Sequence, residues 1–178
     1  MHRVLAVLFV IVAFGPASHG VSVAQSADPI ASIRQHYAQI NRSAPLYKKV
    51  KKELSGFSAE GGELLAYFHG PSVMKIVATF FGESGKASEE YYFWDGQLIF
   101  VLRKDVQYSR PLSGKVIKTT ENRFYFSSGK LIRWIDENAK EVASEAPTYQ
   151  EKQKEYLESS KQFSEGARSK NPTIESSR

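Results

Sequence analysis

Between residues 63 and 136 the chain alternates apolar and polar residues with a period of two, the pattern of strands that bury one face. The alternating stretches are rich in Val, Ile, Tyr, Phe and Trp, and turn-forming residues separate several of them. The predicted strands are residues 63–69, 73–81, 88–95, 97–103, 115–120, 121–127 and 130–136. Because the connections are too short for crossover helices, we expect an antiparallel meander.

A helical pattern precedes the predicted sheet. Asp28 and Pro29 are typical of a helix start, and Ile30, Ile33, Tyr37 and Ile40 then form one apolar stripe. Residues 46–54 fit either a short helix or a strand, and the glycines that follow favour a strand.

A second helix is predicted after Pro147. Thr148 and Glu151 match a capping box, and Tyr149, Tyr156 and Phe163 recur every seven residues. The complete pattern predicts an α+β fold: an antiparallel meander sheet of about six to eight strands with an N-terminal and a C-terminal helix packed against it.

One segment of the sheet is repeated at an offset of 33 residues, as from Tyr92 to Tyr125. The matched pairs are Tyr92 and Tyr125, Phe93 and Phe126, Gly96 and Gly129, Leu98 and Leu131, and Ile99 and Ile132. Each copy is expected to be a hairpin whose two-residue turn uses the positive φ that glycine adopts without steric cost.

The turn positions predict which side chains share a face. In the first hairpin Phe93 should face Leu98, Tyr91 should face Phe100, and Tyr92 should face Ile99. In the second hairpin Phe126 and Phe124 should pair with Leu131 and Arg133, Tyr125 with Ile132, and Arg123 with Trp134. One face would then be a Phe/Leu core. The opposite face would carry the candidate partner-binding residues Tyr92, Trp94, Arg123, Tyr125 and Trp134.

Two interpretations of this aromatic face remain open. In the first, a helix covers it and Arg123 stacks on Trp134. In the second, it stays open as a platform for a partner, since Tyr, Trp and Arg dominate interaction hot spots.

The first residues of the chain have the pattern of a secretory signal. A basic start precedes an unbroken apolar run at residues 4–14, which is shorter than the ~20 residues a membrane-spanning helix needs. Cleavage after Ala24 would make residues 1–24 a signal peptide, residues 25–166 a single α+β domain and residues 167–178 a disordered tail. The expected location is therefore periplasmic or secreted, with no transmembrane segment.

Composition excludes several kinds of chemistry. Among the 178 residues there is no cysteine, so disulfide scaffolds, thiol nucleophiles and iron–sulfur clusters are excluded. The net charge is +5, and the one dense basic stretch, residues 48–52, is more typical of a solvated face than of a nucleic-acid interface.

Motifs for catalysis or metal binding are sparse. His36 and His69 have no partner at ligand spacing, so neither a metal site nor a cofactor is predicted. The Gly82–Lys86 segment has a predicted strand after it, where a phosphate loop would have a helix. Glu60 and Glu63 flank a double glycine, and an alternative hypothesis makes them the centre of a carboxylate-dependent hydrolase or lyase.

Three blocks in order carry a resemblance to known sequences. They are Ser-Ala-Glu-Gly-Gly-Glu-Leu from Ser58, Gly-Glu-Ser-Gly-Lys from Gly82 and Glu-Tyr-Tyr-Phe from Glu90. This arrangement resembles a pattern in uncharacterised exported bacterial proteins, which implies export and no particular activity. The Tyr-Tyr-Phe-x-x-Gly-x-Leu unit is also similar to the hairpin of MORN-type repeats, a likeness that transfers no functional residue.

Together these observations predict an exported, non-enzymatic binding or structural module. Its expected partner is a protein or a cell-envelope component, recognised through the aromatic sheet face or an edge strand.

Overall fold

The computed structural model describes residues 28–177, so the expected signal peptide lies outside the described residues. Helix α1 is Pro29–Ser43, a short 3-10 turn follows at Ala44–Leu46, and helix α2 is Pro147–Arg168. The strands are β1 Lys48–Ser55, β2 Gly62–His69, β3 Ser72–Gly82, β4 Gly85–Trp94, β5 Gln97–Tyr108, β6 Val116–Ser127, β7 Lys130–Ile135 and β8 Thr173–Glu175.

Within the described range, the eight strands form one sheet in the order β7-β6-β5-β4-β3-β2-β1-β8. Successive strands from β1 to β7 pair antiparallel, and β8 pairs parallel with β1. The predicted α+β meander with two flanking helices is therefore confirmed.

The two helices cover opposite faces of the sheet. Helix α1 starts as predicted, since the Asp28 carboxylate accepts a hydrogen bond from the backbone N–H of Ile30 at 2.9 Å. The core under α1 contains Ile33, Ile40, Tyr92, Phe100, Leu102 and Tyr125. The core under α2 is larger and includes Tyr91, Phe93, Val101, Phe124, Phe126, Tyr149, Tyr156 and Phe163.

Several predicted boundaries differ from the structure. Residues 46–54 fall largely in β1, which agrees with the strand prediction, whereas residues 115–120 and 121–127 form one continuous strand, β6. The predicted capping box is wrong, because α2 begins at Pro147 and its N-cap residue, Ala146, has no side-chain acceptor.

The prediction of a disordered tail is also wrong over most of its length. Helix α2 continues to Arg168, and β8 then adds to the sheet edge beside β1. Ile174 of β8 is buried in the α2 core, and this apolar contact stabilises a segment whose composition had suggested disorder.

The first repeated hairpin turns where predicted but changes register one residue later. Asp95 and Gly96 both have positive φ, and Phe93 pairs with Leu98. Tyr92 then pairs with Phe100 rather than with Ile99, so Ile99 is the extra residue of a β-bulge. Tyr91 consequently pairs with Val101 and not with Phe100.

The second hairpin has the same bulge at the equivalent position. Phe126 pairs with Leu131 as predicted, but Tyr125 pairs with Arg133 and Ile132 is the extra residue. Phe124 therefore pairs with Trp134. Because one inserted residue reverses the alternation of side chains, the predicted face assignments are wrong for Phe100 and Trp134.

Candidate functional site

The structure divides the five predicted binding residues between the two faces of the sheet. Trp134 lies on the α2 face, where its ring packs on Phe124 and its indole N–H donates to the Asn122 side chain at 3.0 Å. Arg123 does not stack on it; its guanidinium instead pairs with Glu121 at 2.9 Å.

The other predicted residues lie on the face that α1 covers. Tyr92 is fully buried and its hydroxyl donates to the Glu90 carboxylate. Trp94 stacks on His36 of α1 with 3.9 Å between ring centroids, and Tyr125 is 7% exposed. The aromatic face is therefore mostly covered by a helix, the first of the two interpretations, and no broad open platform forms from these five residues.

A pocket remains where α1 leaves β5 and β6 partly uncovered, and we call it the α1 pocket. Its volume is about 280 Å³. Its apolar floor comes from α1 and β5–β6, and charged side chains surround it. The lining residues are Ile33, Arg34, Tyr37, Phe100, Leu102, Lys104, Glu121, Arg123 and Tyr125.

Positive charge dominates the α1 pocket. Glu121 pairs with Arg123 at 2.9 Å and with Lys104 at 3.3 Å. Arg34 is exposed and forms no ion pair with any residue from 28 to 177. Burial alone would raise the pKa of Glu121, but hydrogen bonds from Arg123 and Lys104 outweigh it and hold that pKa below its ordinary value. The lining of the pocket thus contains three cations and one carboxylate, which pairs with two of them.

Two tyrosines in the α1 pocket have hydroxyl groups available to a ligand. Tyr37 and Tyr125 line the pocket, and neither hydroxyl makes a hydrogen bond with any described residue. A tyrosine hydroxyl can donate to an anionic group while the ring contacts an apolar body.

Sequence reasoning found Arg123 and Tyr125 of this pocket and missed Arg34, Tyr37 and Lys104 as site residues. Tyr37 belongs to the predicted stripe of α1, and Arg34 follows Ile33 of that stripe. Lys104 lies opposite Glu121 in the β5–β6 pairing, a register that extends beyond the hairpins predicted from the turns.

The carboxylates of the alternative hypothesis do not come together at a cavity. Glu60 is exposed in the loop before β2, and the Glu63 carboxylate pairs with Lys51 at 2.6 Å. Neither residue lines the α1 pocket or the cavity under α2. The hypothesis of a hydrolase or lyase centred on them gains no support from this arrangement.

Two further features of residues 28–177 concern metals and membranes. No three His, Asp or Glu side chains in this range are grouped so that they could hold a metal ion. Neither helix in the range is long and apolar enough to cross a bilayer.

Comparison with known proteins identifies no relative of the chain. The chain matches no protein-family model, no curated protein and no solved structure.

Proposed function

We propose that the protein is an exported, non-enzymatic binding module whose α1 pocket takes up an anionic amphiphile. Such a ligand has an apolar body and a carboxylate, sulfonate or phosphate group. The sequence led us to expect either a protein or a cell-envelope component as the partner, and an anionic amphiphile belongs to the second class. The size of the pocket supports that choice, since a volume of about 280 Å³ suits a small molecule.

One observation carries the proposal: an apolar floor of Tyr37, Phe100 and Tyr125 is surrounded by three cations and a single carboxylate. An apolar ligand body gains free energy by leaving water for the aromatic floor. Its anionic group would meet the guanidinium groups of Arg34 and Arg123, whose planar donors suit oxyanions.

The chemistry of the α1 pocket favours binding over catalysis. A general base needs an acceptor free to take a proton, and Glu121 already accepts from Arg123 and Lys104. Of the described residues, those that line the pocket include no histidine, serine or threonine that could act as base or nucleophile.

An edge strand was the other expected route to a partner, and β6 provides one. Strand β7 pairs with Arg123–Ser127 of β6, and no strand of the described residues 28–177 lies on the outer side of residues 116–122. Lys115 and Lys118 flank the exposed Val116 and Ile117. Lysines at such positions are a common protection against edge pairing, so we prefer the pocket as the binding site.

Isothermal titration calorimetry with 3-phenylpropionate tests this function, with 3-phenylpropanol as the neutral analogue. We expect the anion to bind and Arg123→Gln to weaken it about tenfold, because one charge-assisted hydrogen bond contributes about 1.5 kcal/mol. The matched control is Lys118→Gln, which removes an exposed cation of the same strand outside the pocket.

Equal binding of the anion and its neutral analogue, or an equal loss in both variants, would refute the proposed role of the pocket. Absence of anion binding to the wild-type protein would refute it as well.

A further inference from the structure

A second cavity lies on the opposite face of the sheet, between α2 and strands β3–β5. Its volume is about 450 Å³, and it is lined by aromatic side chains on one side and charged side chains on the other. We call it the α2 cavity. It shares no lining residue with the α1 pocket.

The side-chain sizes along β4 explain why space remains under α2. The residues of β4 that face α2 are small at the start of the strand and large at its end: Gly85, Ala87, Glu89, Tyr91 and Phe93. A Cβ atom at Gly85 would lie 2.1 Å from the carbonyl oxygen of Val106, so this position requires glycine. The helix packs on the large side chains, and the small ones leave a gap beneath it.

Three phenylalanines form the apolar wall of the α2 cavity. The ring centroids of Phe57 and Phe163 are 5.4 Å apart, those of Phe57 and Phe80 are 6.2 Å apart, and those of Phe80 and Phe163 are 6.5 Å apart. The negative faces of aromatic rings attract cations, and their area stabilises an apolar ligand body.

The charged side of the cavity contains an arginine held by two carboxylates. Glu89 is only 5% exposed and accepts hydrogen bonds from Arg103 at 2.8 Å and from the Tyr91 hydroxyl. Asp105 accepts two further bonds from Arg103, at 2.9 and 2.7 Å. The positive charge of Arg103 is therefore neutralised from both sides.

Among the residues that line the α2 cavity, carboxylates outnumber cations by one. Glu155 of α2 joins Glu89 and Asp105 in the lining, against Arg103 and Lys86, and its carboxylate also pairs at 2.7 Å with Lys152, which is not part of the lining. The α1 pocket has the reverse balance, with three cations and one carboxylate in its lining.

From this geometry we infer that the α2 cavity binds a small organic cation, namely an amine with an aromatic or otherwise apolar body. The ammonium group lies towards Asp105 and Glu155, and the apolar body lies against Phe57, Phe80 and Phe163. This inference is independent of the α1 pocket, because different residues and a different face of the sheet carry it.

Calorimetric titration with 2-phenylethylamine tests the inference, and 2-phenylethanol and 3-phenylpropionate serve as neutral and anionic analogues. We expect the amine to bind more tightly than either analogue. Ala87→Leu should fill the cavity and weaken amine binding at least tenfold. The matched control is Ser88→Leu, which places a leucine at the next position, where the side chain points to the other face of β4.

A second variant keeps the test valid if Ala87→Leu unfolds the protein. Asp105→Asn removes the carboxylate that accepts two hydrogen bonds from Arg103. The cavity should then prefer an anion to a cation and bind the amine about tenfold more weakly. Thermal unfolding of each variant shows whether the fold is retained.

Three outcomes would overturn the inference: no amine binding to the wild-type protein, equal affinity for the amine and 2-phenylethanol, or equal losses in Ala87→Leu and Ser88→Leu. Preferential binding of 3-phenylpropionate that Asp105→Asn strengthens would instead assign the cavity to an anion held by Arg103. If Arg123→Gln leaves amine binding unchanged, the amine binds at a site other than the α1 pocket. The two proposals can therefore be refuted independently.

Discussion

At the scale of single residues, the buried carboxylate of Glu89 has the clearest energetic consequence. Burial raises its pKa above the ordinary value of 4.5, and hydrogen bonds from Tyr91 and Arg103 offset only part of that rise. When folding raises the pKa of a carboxyl group, ionisation of that group destabilises the folded state relative to the unfolded state. This cost is absent well below pH 4.5, increases as the pH rises towards the folded-state pKa, and is constant above it.

Replacing Glu89 by glutamine should therefore remove a pH-dependent destabilisation. We expect the free energy of unfolding of Glu89→Gln, minus that of the wild type, to rise from about pH 4.5 upward. The rise should be about 1.4 kcal/mol for each unit by which folding raises the pKa. Urea unfolding from pH 4 to pH 8 measures it.

The matched control is Glu53→Gln, which removes an exposed carboxylate of β1. Its difference from the wild type should stay within about 0.5 kcal/mol over the same range. A Glu89→Gln difference that falls with increasing pH would mean that Arg103 and Tyr91 lower this pKa.

At the scale of elements, a buried lysine holds the C-terminal segment against β1. Lys52 is 7% exposed, and its ammonium group donates to the carbonyl oxygens of Ser169 at 2.7 Å and Asn171 at 2.5 Å. These bonds fix the chain between α2 and β8, where it leaves the helix and turns back to the sheet. Ile174 then packs beside Gly166, at which a Cβ atom would lie 2.5 Å from the isoleucine side chain.

Lys52→Met should therefore loosen β8 and destabilise the protein by about 2 kcal/mol, because two charge-assisted hydrogen bonds are lost. Amide exchange at residues 173–176 should increase, and urea unfolding gives the free energy. The control, Lys51→Met, removes a neighbouring exposed lysine whose ion pair with Glu63 is on the surface, so its effect should be under about 1 kcal/mol. Unchanged exchange in Lys52→Met would contradict the anchoring role.

At the scale of the whole molecule, one sheet separates two cores and joins them through its strands. Tyr91 belongs to the α2 core and its neighbour Tyr92 to the α1 core. The two tryptophans report on different sides, since Trp94 packs with the α1 core and Trp134 with the α2 core. Because both cores depend on the same strands, we expect them to unfold together.

Ile40→Ala tests this coupling, because Ile40 is fully buried under α1. The loss should be about 2–5 kcal/mol, and single-tryptophan proteins made by Trp94→Phe or Trp134→Phe should show the same shifted urea midpoint. Leu46→Ala is the control, since Leu46 is 88% exposed. A lower midpoint at Trp94 with an unchanged midpoint at Trp134 would show instead that α1 unfolds alone.

Much of the fold could be predicted because its signals are local. Alternation predicted β2, β3 and β7 to within one residue, whereas β4 begins three residues earlier and β5 ends five residues later than predicted. Glycine at positive φ placed both hairpin turns, at Asp95-Gly96 and Ser128-Gly129. The candidate site was predicted only in part: Arg123 and Tyr125 line the α1 pocket, whereas Trp134 lies on the other face. The bulges at Ile99 and Ile132 leave no sign in a simple alternating pattern, and each reverses the side-chain direction beyond it.

By itself, then, the sequence determined most of the strands from β1 to β7, the two hairpin turns, the stripe of α1 and the α+β class, because neighbouring residues specify each of them. Only the tertiary structure decided which face each aromatic residue occupies, which cations surround the α1 pocket and how small residues of β4 open the α2 cavity. It also decided that the last residues join the sheet, since the partners of Ile174 lie far away in the chain. Features that depend on the register between distant segments cannot be inferred from local patterns, because contacts between residues far apart in the chain determine them.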